Sequence, residues 1–182
     1  MAHCQQRQPS APTSINLPQP LDISSQAKGA TKKWVHTPYI QINTEIKIHC
    51  PRQEVFDYVT TAALWHTWHP ATAEVRHAPA RPLVTGDTVL EYIEVYSRRD
   101  QLLWTVVSCV APEHWGIEAD AQTGTASINY WFESNGRGCY FHRTLRFRSK
   151  KLLWRLFDAT LVRVLLERQS ARALRNLKHI LE

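Results

Sequence analysis

The sequence predicts an α+β fold, a curved antiparallel sheet wrapped around one long C-terminal helix, with two short helices after the first strand. Three observations carry that expectation. Strand-like stretches follow one another from Gly86 to Arg148 with only short turns between them, which suits neighbouring antiparallel strands in a meander. After Arg148 the apolar period changes from two to that of a helix. No Gly or Pro occurs from Lys150 to Glu182, so nothing interrupts a helix of about 30 residues, roughly 45 Å long. A sheet covered on one face by such a helix is a two-layer arrangement.

The elements follow in order. Residues 1–33 hold no aromatic residue, four prolines and a single acid, Asp22. Such a stretch cannot bury enough apolar area to offset its ordering entropy. Disorder is expected to about Trp34, so residues 1–37 are taken as a polar tail and residues 38–182 as the folded domain. The scarcity of acids faintly resembles an organelle transit peptide, but a plain polar tail is the preferred reading. In YIQINTEIKIH, Ile40, Ile42, Thr44, Ile46 and Ile48 alternate with polar residues, the mark of a strand with one buried face. Pro51 suits the first position of a helix, and Val55, Phe56 and Val59 follow at helical spacing. A second short helix is expected from Thr61 to the stop at Pro70. Strands then run over GDTVLEYIEVY, QLLWTVVSCV, HWGIEADA, SINYWFE and CYFHRTLRFR, with Asn135-Gly136-Arg137-Gly138 as a hairpin turn. The helical stripe consists of Leu153, Phe157, Leu161, Val164 and Leu165, continued by Ala173, Leu174, Leu177 and Leu181.

Composition excludes several classes. The chain is 43% hydrophobic and 21% charged, ordinary for a globular protein. No window approaches the roughly 18 apolar residues of a membrane-spanning helix, and the start MAHCQQRQPSAPTS lacks the apolar core of a signal peptide. Cys4, Cys50, Cys109 and Cys139 are scattered without a CxxC, the pattern of free thiols in a reducing compartment. A cytoplasmic location is expected. The net charge is +6, yet residues 143–182 alone carry eleven Lys/Arg against three acids, which leaves residues 1–142 at −2. That is one basic segment, without interleaved stacking aromatics or a recognisable module, so no nucleic-acid partner is expected. Its readings are peripheral membrane contact through an amphipathic basic helix or a solvated face.

Three sequence features carry a family resemblance. IKIHCPRQEVFDYVTTAALWHTWHP is a strand into Pro-led helices, with Trp65 and Trp68 bracketing the second. LVTGDTVLEY is followed by a strand running to VSCVAPEHWGIE, with turns at Gly86 and Pro112. The SNGRG hairpin then precedes the long helix ending in LRNLKHILE. In this order they resemble the START-like superfamily, also called SRPBCC, and within it the polyketide cyclase/dehydrase group. The resemblance implies a helix-grip fold with an apolar cavity between sheet and helix. It implies binding of a hydrophobic small molecule (a lipid, an isoprenoid or quinone, or a polyketide), or a cyclase or dehydratase using the same cavity. Fold narrows the ligand class without deciding between them.

The strand faces supply the candidate site. Val89, Glu91 and Ile93 share one parity, as do Phe141, Arg143 and Leu145, so one carboxylate and one guanidinium are aimed at the apolar interior. Burying either alone costs several kcal/mol or about that order, so each needs a partner. They are candidates for a headgroup anchor, or for acid/base and oxyanion roles in an enzyme. Alternatively each sits at the rim or pairs elsewhere. Trp115, Ile117 and Ala119 are expected inward with Ala121, the small residues leaving room. Thr105 on the preceding strand, Trp68 from the second short helix, and Phe157 and Leu161 from the long helix complete the lining. Asn129 and Trp131 share a parity facing inward unless the equally apolar set Ile128, Tyr130 and Phe132 does so. His66 and His69 have metal-like spacing but no third ligand beside them, and neither GxSxG nor a phosphate loop occurs. No metal, cofactor or nucleophile is therefore assigned, Cys50 and Cys109 being read as buried bystanders. The residues leave the oligomeric state open.

Overall fold

The computed structural model describes residues 39–95, 98–121, 124–149 and 159–182, all within a unit spanning Thr37–Glu182. The tail expected over 1–37 lies outside the described residues, as do Leu153 and Phe157. Strand β1 runs over Ile40–Ile48. Pro51 caps helix α1, Arg52–Thr60, standing one position earlier than the sequence suggests, and Val55, Phe56 and Val59 are buried from it. A 3-10 turn at Ala62–Leu64 leads into the single turn α2, Trp65–Trp68. Then come β2 (Thr72–Arg76), β3 (Thr88–Val95), β4 (Arg98–Val110), β5 (His114–Asp120), β6 (Gly124–Asn135) and β7 (Gly138–Ser149). The described part of the terminal helix, α3, is Ala159–Leu181.

The seven strands form one antiparallel sheet in the order β1-β7-β6-β5-β4-β3-β2. The expected meander is thus β2 to β7, and β1 joins its far edge by pairing with β7, Ile40 opposite Phe147 and Ile48 opposite Cys139. Helices α1 and α2 make the crossover between β1 and β2, strands at opposite edges. The sequence reading lacks β2. TAEVR buries only Thr72, because an edge strand with so little to bury has no apolar alternation to announce it. The hairpin between β6 and β7 turns at Gly136, whose φ of 59° lies in the left-handed region that glycine enters without Cβ strain.

Alternation sorts the sheet faces. Val89 and Glu91, Trp104 and Val106, Trp115, Ile117 and Ala119, Ile128, Tyr130 and Phe132, and Phe141, Arg143 and Leu145 are all buried. Asn129 and Trp131 therefore do not face inward. Trp131 is 51% exposed and packs at a tilt against His114, ring centroids 4.1 Å apart, on the outer face. Among the described side chains of α3, Ser170, Ala173, Leu174 and Leu177 are buried. Its C-terminal end is tied down by Lys178, which donates to the Lys47 carbonyl at 2.7 Å, and by Glu182, which accepts from the His49 N–H at 2.7 Å.

Two lining candidates are corrected. Leu161 is 56% exposed, and helix geometry gives the reason. It stands nine residues before buried Ser170, which at about 100° per residue puts it on the opposite face. Thr105 lies between buried Trp104 and Val106 and pairs with exposed Glu118. It therefore belongs to the outer face.

Candidate functional site

One part of the interior is packed solid with aromatic rings. Trp115 stacks on Tyr130 at 5.4 Å and meets Trp65 edge-on, while Phe132 contacts Phe56, Tyr130 and Phe141. The Trp115 indole donates to the Leu83 carbonyl at 3.0 Å. Trp115 and Phe141 thus serve in a packed core. Ile117 and Ala119 continue the buried face of β5, and Ile93 is half-buried opposite Thr72.

Beside this core lies a buried polar cluster drawn from β2, β3, β4, β6, β7 and α3, with Trp68 of α2 and His69 just after it. Glu91 of β3 is 5% exposed. One of its carboxylate oxygens accepts from the Thr72 hydroxyl at 2.5 Å and the other from the Trp104 indole N–H at 2.6 Å. Thr72 is placed by a register shift between Thr72 and Glu74, a bulge of the kind that re-aims a side chain. Its hydroxyl also lies 3.3 Å from Nδ1 of His69. The ring of His69 meets Trp68 edge-on at 5.6 Å.

Arg143 of β7 is 2% exposed and crosses from sheet to helix, where Nη1 donates to Ser170 of α3 at 2.8 Å. The Tyr130 hydroxyl lies near its guanidinium, which favours the ionised form of the phenol. Nε of Arg143 has no acceptor among the described residues, nor has the buried indole N–H of Trp68. No ion pair joins Glu91 to Arg143. They act on each other only through the field, since the guanidinium favours the charged form of Glu91.

Charge follows from this placement. Burial pushes the Glu91 carboxyl above its ordinary range, and the Thr72 and Trp104 donors and Arg143 pull it only part of the way back. Burial, then the nearby Arg143 charge, drives His69 down to about 3, so its imidazole is neutral at physiological pH. Burial also pushes Tyr130 up. The described thiols offer no ready nucleophile: burial raises Cys50 and Cys139 to about 11, the Glu54 hydrogen bond adding to the effect at Cys50, and pushes Cys109 up as well. Among the described residues no group of three or more His, Cys, Asp or Glu is placed to hold a metal ion.

The structure therefore places Glu91 and Arg143 inside, with Trp68, Val89, Ile117 and Ala119 buried around them. Sequence reasoning missed Thr72, Trp104, Tyr130 and Ser170, and weighed His69 only as a metal ligand. Trp104 was accessible from parity with Val106, whereas the two apolar faces of β6 gave Tyr130 no clear side. Ser170 interrupts the helical stripe four residues before Leu174. Nothing local marks Thr72, whose strand leaves no pattern.

A model of the polyketide cyclase/dehydrase and lipid transport family matches residues 39–182. No curated protein matches the sequence. Among solved structures, a START superfamily protein from Mycobacterium smegmatis superposes with a TM-score of 0.64 at 9% identity, covering 78% of this chain and 96% of that one. A Staphylococcus aureus protein of unknown function gives 0.64 at 11% identity over 81% of this chain and 96% of its own. A protein from Chromobacterium violaceum gives 0.62 at 10% identity over 79% and 97%. At such identities these likenesses concern the fold, which is the START-like helix-grip arrangement.

Proposed function

The chain belongs to the polyketide cyclase/dehydrase and lipid transport family, and from that premise we propose that it binds a hydrophobic small molecule between the sheet and α3. The family and fold support a hydrophobic-ligand-binding framework. The observation that carries the reading to this site is the Arg143 guanidinium, buried on an apolar face with Nε lacking any acceptor among the described residues. A ligand site is an apolar surround with a few convergent polar groups, and Arg143, Tyr130, Ser170 and Trp68 are such groups. Native mass spectrometry and lipid extraction of the purified protein test it. An apolar molecule should co-purify or bind from a panel of lipids, quinones and aromatic polyketides. A protein that carries none and binds none overturns the reading.

A second reading, a cyclase or dehydratase, draws on the raised Glu91 carboxyl, since a buried carboxyl titrating high is suited to general acid work. Its experiment is Glu91→Gln on any turnover found: lost turnover with retained binding supports it, and unchanged turnover removes Glu91 from the mechanism.

The outer face of α3 suggests where a lipid ligand is collected. Arg168, Arg172 and Arg175 are exposed there without an acidic partner among the described residues, and Leu161 stands on the same side. That is the make-up of a helix face that settles on anionic headgroups. No helix among the described residues is long and apolar enough to cross a membrane. Cytoplasmic residence belongs to this proposal as well, supported by Cys50, Cys109 and Cys139 standing as free thiols.

A further inference from the structure

We infer that the ligand bears an anionic oxygen head, a carboxylate or an ionised enol or phenol, which the Arg143 guanidinium receives. This rests on the ligand-binding reading above and names the chemical class of its ligand. The two buried charges are not equivalent. Both Glu91 oxygens are already engaged, by Thr72 and Trp104, so the carboxylate has its strongest acceptor sites occupied. Arg143 has five N–H donors. One reaches Ser170, the Tyr130 hydroxyl stands beside the group, and Nε has no acceptor among the described residues. The Trp68 indole N–H is a further buried donor without an acceptor there.

The unmet hydrogen bonds are therefore donors. A ligand head that only donates, such as an ammonium, would add to that excess and place a second cation near Arg143. A neutral ester or ketone supplies an acceptor but no charge. A carboxylate supplies both, and guanidinium binds it through two parallel N–H···O bonds. His69, the other titratable ring of the cluster, is held neutral by burial and adds no competing cation.

The experiment compares heads on a constant apolar body. Two series are titrated by calorimetry into the wild-type protein at neutral pH: lauric acid, methyl laurate and laurylamine, and naphthoic acid, methyl naphthoate and naphthylmethylamine. In at least one series the acid should bind about 10-fold or more tightly than its ester, the scale of a charge-assisted hydrogen bond, and the amine weakest. Acid and ester binding equally, or the amine preferred, overturns the inference and leaves hydrophobic-ligand binding standing. If no member of either series binds, both fall. Arg143→Lys, which keeps the charge but loses the fork, should reduce the preference for the acid while melting as a folded protein. Should Arg143→Lys fail to fold, the wild-type comparison of acid, ester and amine decides alone.

Discussion

Replacing Glu91 tests the polar cluster most directly, because one residue holds two buried donors. Glu91→Leu leaves the Trp104 N–H, 2.6 Å from the lost oxygen, with nothing to bond. Thr72 fares better, since its hydroxyl can turn toward His69 Nδ1 at 3.3 Å. A stranded buried donor costs about 1–3 kcal/mol, so the variant should lose about 2–4 kcal/mol, less what is recovered by no longer desolvating a carboxylate. Glu91→Gln should lose no more than about 1 kcal/mol. Its amide oxygen can accept from Trp104 and its NH2 can donate to the Thr72 hydroxyl, which accepts as well as donates. Adding Trp104→Phe to Glu91→Leu removes the stranded donor and should restore about 1–2 kcal/mol. Urea unfolding at neutral pH reads all three. A Glu91→Leu protein as stable as wild type, or a double variant no better than the single, would refute the network as described. The pH dependence adds a sign. Because the folded Glu91 carboxyl titrates above its ordinary value, the stability it contributes through proton binding is fully present below the unfolded pKa of about 4.3. It is lost as pH rises through the folded value. Wild type should therefore gain on Glu91→Gln as pH falls.

The remaining predictions concern neighbouring groups. His69 is depressed to about 3, so the unfolded chain binds its proton first, and stability should fall on acidification from about pH 6.5 toward 3. The most this one group can remove is about 5 kcal/mol. His69→Gln should flatten that limb in acid-titrated thermal melts, and an unchanged slope would show that His69 is not the group responsible. Arg143→Ala should cost about 2–5 kcal/mol, the scale for deleting a long buried side chain, since its partner Ser170 is uncharged. Its double-mutant cycle with Glu91→Gln should show coupling of only about 1 kcal/mol, because the two charges share no ion pair; coupling of 3 kcal/mol or so would mean direct contact. Exchanging Arg168, Arg172 and Arg175 for Ser should weaken co-sedimentation with phosphatidylserine vesicles, most at low salt, and equal sedimentation of the two proteins would remove the helix face from membrane contact.

Most of the sheet was legible because its inner face alternates. Val89, Glu91, Phe141 and Arg143 declared their side by period alone, and their neighbours' burial follows. Where both faces of a strand are apolar the period carries no sign, which is why Trp131 and Tyr130 could not be told apart before the register with β5 and β7 was fixed. The helix stripe misled at Leu161 for a different reason. Near its start apolar residues occur on several sides (Leu161, Val164, Leu165 and Leu166 in succession), and phase is set by Ser170, Ala173, Leu174 and Leu177 packing below. The candidate site was half legible. A charged residue on an apolar face stands out in a sequence, whereas its partners are set by register, curvature and a bulge. Thr72 lies 19 residues from Glu91 and Ser170 lies 27 from Arg143, and no local pattern connects them.

The difference between the two buried charges bears on anchoring against catalysis. A general acid must present its proton at an oxygen that faces the substrate, and a general base must have a lone pair free to take one. Glu91 has one oxygen on Thr72 and one on Trp104, and an indole N–H can only donate, so the Trp104 side cannot pass a proton onward. Any transfer from Glu91 would run through the Thr72 hydroxyl toward His69, whose imidazole, held near 3, is a poor proton acceptor. That route is weakly driven. Arg143 requires no such relay: it is held from the helix side by Ser170, and a donor of its fork is unspent. A guanidinium with a spare donor, near a carboxylate whose oxygens are already engaged, favours the proposed anchoring of a ligand's head over catalysis. Chemistry in the same space would have to draw its proton transfers from the ligand itself or from Tyr130, whose hydroxyl burial keeps protonated.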